Sequence, residues 1–307
     1  MEFIRSDTHI DFMSKRSLAV FVSAAMILIS VVSLAVHGGP NYGIDFAGGT
    51  LVQIRFATPV TVAEIRTALN EAGLTGGLVQ GFGAEGKGEY LIRLQSSSSD
   101  LEGLSTTVSQ ALSTRFGSET VEIRRTEMVG PKVGKDLRQK GINAIVFALV
   151  GILIYISWRF EFRFAVGAVL ALAHDVIISV GALSLADKEF SLPVLAALLA
   201  IVGYSLNDTI VVYDRVRENM RRTRKQTFPL VVNASINETL SRTILTSGTT
   251  LIVVVILFIM GGGVIHDFTF TLLVGIIVGT YSSIFVASPI VILWQRWFQK
   301  KMGDRKK

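Results

Sequence analysis

The stretch Ser191–Tyr213, SLPVLAALLAIVGYSLNDTIVVY, is an apolar run long enough to cross a bilayer as one helix, yet it carries Asn207-Asp208 near its end. On insertion scales an Asp at the centre of a membrane helix costs about 2.5–3.5 kcal/mol, so such carboxylates usually line buried or water-filled paths and serve ion movement. The stretch therefore predicts a chain that moves protons or is moved by them.

Working outward, the rest of the chain has the same character. Of 307 residues 50% are hydrophobic and 18% charged, and the mean hydropathy is +0.51. Soluble domains rarely have such values. The apolar residues fall in six blocks, read as spans at 17–36, 142–158, 164–185, 192–213, 243–260 and 268–294. The first, Ser17–Val36, is longer than a signal-peptide core, and HGGPNYG after it is no cleavage site, so it reads as a retained anchor. The chain divides into an N-terminal segment 1–16, a first helix 17–36, a loop domain 37–140, five more helices within 141–294, and a basic tail 295–307.

Lys and Arg set the orientation, because short cytoplasmic loops retain positive charge. Arg5, Lys15 and Arg16 precede the first span. Arg159 and Arg163 lie in one short loop, and Arg215, Arg217, Arg221, Arg222, Arg224 and Lys225 in another. The tail ends KKMGDRKK. The opposite side has Lys188, the GGGVIHD turn and the long loop. Both termini are expected in the cytoplasm.

The net charge of +6 does not point to nucleic acid. Its basic residues flank membrane helices, where they fix topology and meet anionic lipid headgroups, and no aromatic interleaving accompanies RVRENMRRTRK. With no cysteine, disulfides, thiolate metal sites and cysteine nucleophiles are excluded. His174 and His266 each have one adjacent Asp and no further group at metal-ligand spacing, so no metal is expected.

The long loop is the one soluble domain. TLVQIRF alternates as a half-buried strand, PVTVAEIRTALNEAG has helical periodicity, GLVQGFG and EYLIRLQ are strands around a Gly-rich turn, DLEGLSTTVSQALSTRFG is a second helix, and ETVEIRRTEMVG a fourth strand. The order βαββαβ predicts an α+β ferredoxin-like domain outside the membrane. No nucleophile–base set can be assembled in it, so it reads as a domain that binds or moves a partner. Gly38-Gly39-Pro40 and the run Gly130–Gly134 punctuate its junctions, as hinges or as plain turns.

Three charged positions in the spans carry the mechanism: Asp175 beside His174, Asp208 beside Asn207, and Arg242. By helical rise Asp175 lies about 16 Å into its span, close to mid-bilayer, and Asp208 about 7 Å short of its exit. Arg242 enters the next span from that side, at a depth that permits pairing with Asp208. A pair that separates and reunites takes up and releases a proton. The competing reading is that Arg242 snorkels to headgroups while Asp208 bonds Thr246 or Ser247, and that His174 and Asp175 satisfy each other as packing.

GYSLNDTIVVYDRVREN resembles the fourth-helix signature of resistance-nodulation-division (RND) transporters, with one departure: Asn207 stands where that signature has its first acid. Within the superfamily the chain is similar to the SecF side of the SecD/SecF family of protein-export membrane proteins, through NYGIDFAGGT, VGPKVGKDL, LNDTIVVYDRVREN and NASINETLSRTILTSGTT. The resemblance implies a six-helix half of an RND-like bundle in the bacterial inner membrane, with one domain between the first two helices. It implies SecD as the other half, the SecYEG translocon and unfolded preprotein as partners, and protons as coupling ion with no further cofactor. It maps proton conduction onto Asp208 and Arg242. Asp175, His174, Asn207, Thr246 and Ser247 are further candidates read from the residues. Gly43, Asp45, Phe46, Gly48 and Gly49 form the family's motif beside the first span, where the glycines permit close backbone approach.

Two other classes stand beside this one. An RND-type exporter of lipids or small molecules uses the same relay but normally has both halves and a larger external domain. An intramembrane aspartyl protease would pair Asp175 with Asp208, but GYSLND lacks the GxGD context and Arg242 disturbs a shared-proton dyad.

Overall fold

The computed structural model describes residues 9–75, 77–82, 88–94, 102–223 and 226–304. Arg5, Arg224, Lys225, the Gly-rich turn at 83–87 and the last three residues lie outside the described residues. Among the described residues 6 helices are long and apolar enough to cross a membrane.

The loop domain has the expected order. Strands β1 (Gly49–Phe56), β2 (Leu78–Phe82), β3 (Glu89–Leu94) and β4 (Val121–Val129) form an antiparallel sheet in the order β2-β3-β1-β4. Helices α3 (Val62–Glu71) and α4 (Glu102–Phe116) cover one face, which is the ferredoxin-like arrangement. The period-2 pattern of β1 explains its seat: Val52, Ile54 and Phe56 are buried with Ile65, Leu69, Ile92, Val108 and Leu112, while Arg55 is exposed. Thr61 and Glu64 close a capping box at the start of α3, and these bonds to Thr61 hold the Glu64 carboxyl below its ordinary value. A register shift leaves Arg124 as the extra residue of a bulge in the edge strand β4.

The membrane helices are α1 (Arg16–Val36), α5 (Pro131–Arg159), α6 (Phe162–Leu185), α7 (Leu192–Arg222), α8 (Phe228–Met260) and a sixth span over Ile265–Trp297. That last span comprises α9 (Gly262–Ser282), a π-helical turn at Ser283–Ala287 and α10 (Ser288–Asp304). Helices α6, α7 and α9 pack on one another at the centre, α1 lies against α6, and α8 against α7 and α9.

The expected spans are right in number and short in length. Helix α7 has 31 residues and α8 has 33, about 46 and 50 Å of helix against a hydrocarbon core of about 30 Å. Both run on past the apolar runs as a polar hairpin, held by Asn219 to Ser235 (3.1 Å) and Glu238 (2.9 Å) and by Arg215 to Glu238 (3.1 Å). Hydropathy fades where helix pairing takes over, so the apolar count stops early. The second junction is also corrected. Residues 131–140 belong to α5, with Pro131 at its first turn, so the break is confined to Gly130. The segment before α1 docks on α8: Asn233 accepts from the amides of Phe12 and Met13, and Asn237 from that of Ile10.

Candidate functional site

Asp175 is 1% exposed at the centre of the bundle. Its Oδ2 accepts from Ser205 on α7 (2.6 Å) and from Ser282 on α9 (2.7 Å), and its Oδ1 lies 2.9 Å from His174 Nδ1. Gly279 makes the approach possible, since a Cβ there would sit 2.9 Å from that of Ser205. One carboxylate thus ties three helices, and α9 turns π-helical directly after Ser282. His174 stacks on Tyr281 at 6.3 Å, and its buried Nε2 has no hydrogen-bond partner.

Asp208 is 3% exposed and is held differently. Its Oδ2 accepts one bond, from Ser247 on α8 at 3.2 Å, and Ser247 Oγ lies 2.8 Å from Thr280 Oγ1 on α9. The Asp208–Arg242 contact expected from sequence is not formed as an ion pair. Arg242 is close enough for Coulombic interaction with Asp208, but its side chain is on the exposed side of α8 and it has no ion pair among the described residues. Depth along two helices fixes height but not the angle around each helix, and Arg242 is turned outward. Asn207 is likewise exposed. Thr246 does not reach Asp208; its hydroxyl returns to the carbonyls of Arg242 (3.0 Å) and Thr243 (3.1 Å). Asp175 and Asp208 have separate partners, which argues against a shared-proton protease dyad.

The motif Gly43–Gly49 builds a collar between domain and bundle. Helix α2 (Ile44–Ala47) follows Gly43, whose amide donates to the carbonyl of Phe190 at 2.9 Å. Asp45 Oδ2 accepts from the amide of Leu192 at 2.8 Å, placing an anion at the N-terminus of α7. Phe46 is buried against Tyr42 and Phe190. Gly48 has φ +78, and a Cβ on it would sit 2.9 Å from Pro131 Cα, so only glycine lets α5 begin there. Gly49 follows at φ 131 and opens β1.

Sequence reading missed Ser205, Ser282 and Thr280. Ser205 stands three residues before Asp208 but serves Asp175, and spacing alone does not tell which of two neighbouring carboxylates a serine meets. No group of His, Asp and Glu able to hold a metal occurs among the described residues.

Six spanning helices with buried carboxylates and one ferredoxin-like domain after the first define a multi-pass helical membrane protein of the transport type. Residues 108–297 match the family described as protein export membrane protein SecD/SecF, C-terminal, and residues 32–60 match the SecD/SecF GG motif. The chain is 50% identical to the protein translocase subunit SecF of Desulfurispirillum indicum over 293 residues, covering 94% of this chain and 92% of that one. It is 50% identical to the subunit of the same name from Magnetococcus marinus over 306 residues, covering 99% and 97%. The crystal structure of SecDF from Thermus thermophilus, a translocon-associated membrane protein, superposes with a TM-score of 0.83 at 38% identity. The match covers 96% of this chain and 40% of the SecDF chain, so this chain spans two-fifths of that protein. The chain belongs to the SecD/SecF protein-export family.

Proposed function

We propose that the chain is the SecF-type auxiliary subunit of a Sec translocase, working with SecD beside SecYEG in a bacterial inner membrane, both termini cytoplasmic. It uses the proton motive force to promote late export and release of unfolded preproteins, and it is a transport subunit rather than an enzyme. The 50% identity over nearly the full length to subunits named SecF supports this reading, and Asp208 is the observation that carries its mechanism. A carboxylate sealed in a helix bundle with one 3.2 Å serine bond keeps hydrogen-bonding capacity to spare, and Arg242, a cation without an ion pair among the described residues, stands on the outward side. Asn207 and Arg242 make that outward side polar, which lipid does not solvate, so a second helical half covering it fits the chemistry.

In this reading a proton on Asp208 removes the attraction to Arg242, the helices shift, and the domain at residues 50–130 moves. One charge crossing 100 mV supplies about 2.3 kcal/mol, roughly a fifty-fold bias between two orientations. A second SecDF structure, described as a super-membrane-facing form, superposes on this chain at 0.70 and 39% identity, against 0.83 for the first, so relatives occur in more than one arrangement. The test is proton-motive-force-dependent release of a secreted protein from membrane vesicles holding the chain and its SecD partner. Loss of release in Asp208→Asn and Arg242→Ala, with assembly intact, is expected; release at the wild-type rate in both would leave the chain a scaffold.

A further inference from the structure

A second charged cluster lies at the seam between sheet and bundle, about 24 Å along α7 from Asp208. Its centre is Glu189, 8% exposed in the loop between α6 and α7. Arg93 of β3 pairs with its carboxylate, and this is the one ion pair between the sheet and the α6–α7 loop among the described residues. The Glu189 amide donates to Asp267 Oδ2 on α9 at 3.0 Å. Gly43 of the collar leaves room for the side chain, since a Cβ there would meet Glu189 Oε1 at 2.3 Å. An open crevice of about 670 Å³ beside it, lined by Gln80, Leu91, Arg93, Lys188, His266 and Asp267, gives water a route to the seam.

The charges facing Glu189 come from every element around it. Arg93 is the cation on the sheet; Asp267 on α9 and Asp45 on α2 are like charges; Lys188 of the same loop is held by Asp267 at 3.0 Å and by His266 at 3.0 Å. Burial first, with Asp267 and Asp45 adding to it, pushes the Glu189 carboxyl up to about 7 against the pull of Arg93.

We infer that Glu189 is a proton-binding site on the domain side of the membrane, and that its occupancy keeps the sheet seated on the bundle where Arg93 meets the loop. Neutral Glu189 rests in the buried seam beside Arg93; once ionised it is a buried carboxylate with Asp267 and Asp45 as like-charged neighbours, and the sheet leaves its seat to give that charge water. The sign follows from the raised value. Ionising this group disfavours the closed seam progressively from pH 4.5 to about 7 and constantly above, so proton uptake stabilises the seated sheet and proton loss weakens its hold. From pH 8 to pH 6 the ratio of ionised to neutral Glu189 falls from about ten to about one tenth. The site adds an outer proton step to the function proposed above and does not require Asp208 to titrate.

The chain has no cysteine, so spin labels can be placed at Thr67→Cys on α3 and Ala186→Cys in the loop without background. Distances between them are measured in the full chain in membranes with its SecD partner. One narrow distance is expected at pH 6, and a second, longer population grows in at pH 8. Glu189→Gln, which fixes the neutral form, is expected to keep the narrow distance at both pH values, Glu189→Asp to keep a pH response, and Asp208→Asn to respond as the wild type does. A wild-type distance independent of pH, or a response that survives in Glu189→Gln, overturns the proposal. Failure of the vesicle-release test with this response intact would count against Asp208 alone.

Discussion

Asp175 and Asp208 stand on neighbouring helices at 1% and 3% exposure, and the bundle treats them oppositely. Asp175 is clasped by two serines and a histidine at 2.6–2.9 Å, from three helices in all. Asp208 has one serine at 3.2 Å and a cation turned away from it. Burial alone therefore does not mark a proton carrier. A carboxylate with its hydrogen bonds filled is a fixed point, whereas one with a loose first partner and a charge within reach can change state without dismantling its surroundings.

Four substitutions break or sharpen that contrast. The largest effect on the fold is expected from Asp175→Leu, which leaves Ser205, Ser282 and His174 without their acceptor. At about 0.6–1.7 kcal/mol per membrane hydrogen bond, the three together cost about 2–5 kcal/mol, readable as a fall in the midpoint of thermal aggregation in detergent. Asp208→Asn keeps the shape and a serine partner, so its stability is expected to stay within about 1 kcal/mol of wild type while force-driven release is abolished. A smaller loss is predicted for Ser247→Ala, which frees Asp208 from its donor: release slows a few-fold and its dependence on external pH shifts. Thr246→Ala, whose hydroxyl only returns to its own helix, is expected to leave release unchanged and stability within about 0.5 kcal/mol.

Much of the architecture was legible because it follows from periodicity. The alternation in TLVQIRF, the capped helix PVTVAEIRTALNEAG and the six apolar runs each state a local preference that the tertiary structure keeps. What was not legible depends on rotation and on contacts between distant segments. Helical rise put Arg242 level with Asp208, but not which way round α8 it points. The polar hairpin beyond Tyr213 is helical because Asn219 and Arg215 find Ser235 and Glu238 on the partner helix, a reason outside any single window. Glu189 carries no signal of its own in the sequence, and only the meeting of β3, α2 and α9 around it makes it a buried acid. Gly48 is a place of close approach, as its pairing with Gly49 suggested, because positive φ and the backbone of Pro131 leave no room for a side chain.

The most direct test of the contrast is infrared difference spectroscopy of the assembled complex in membranes, recorded on acidification of the domain side in wild type, Asp208→Asn and Asp175→Asn. Beside the Glu189 band common to all three, the account predicts a protonated-carboxyl band that appears in wild type, is lost in Asp208→Asn and persists in Asp175→Asn. A band that survives in Asp208→Asn and vanishes in Asp175→Asn would contradict it and make the three-helix knot the proton carrier.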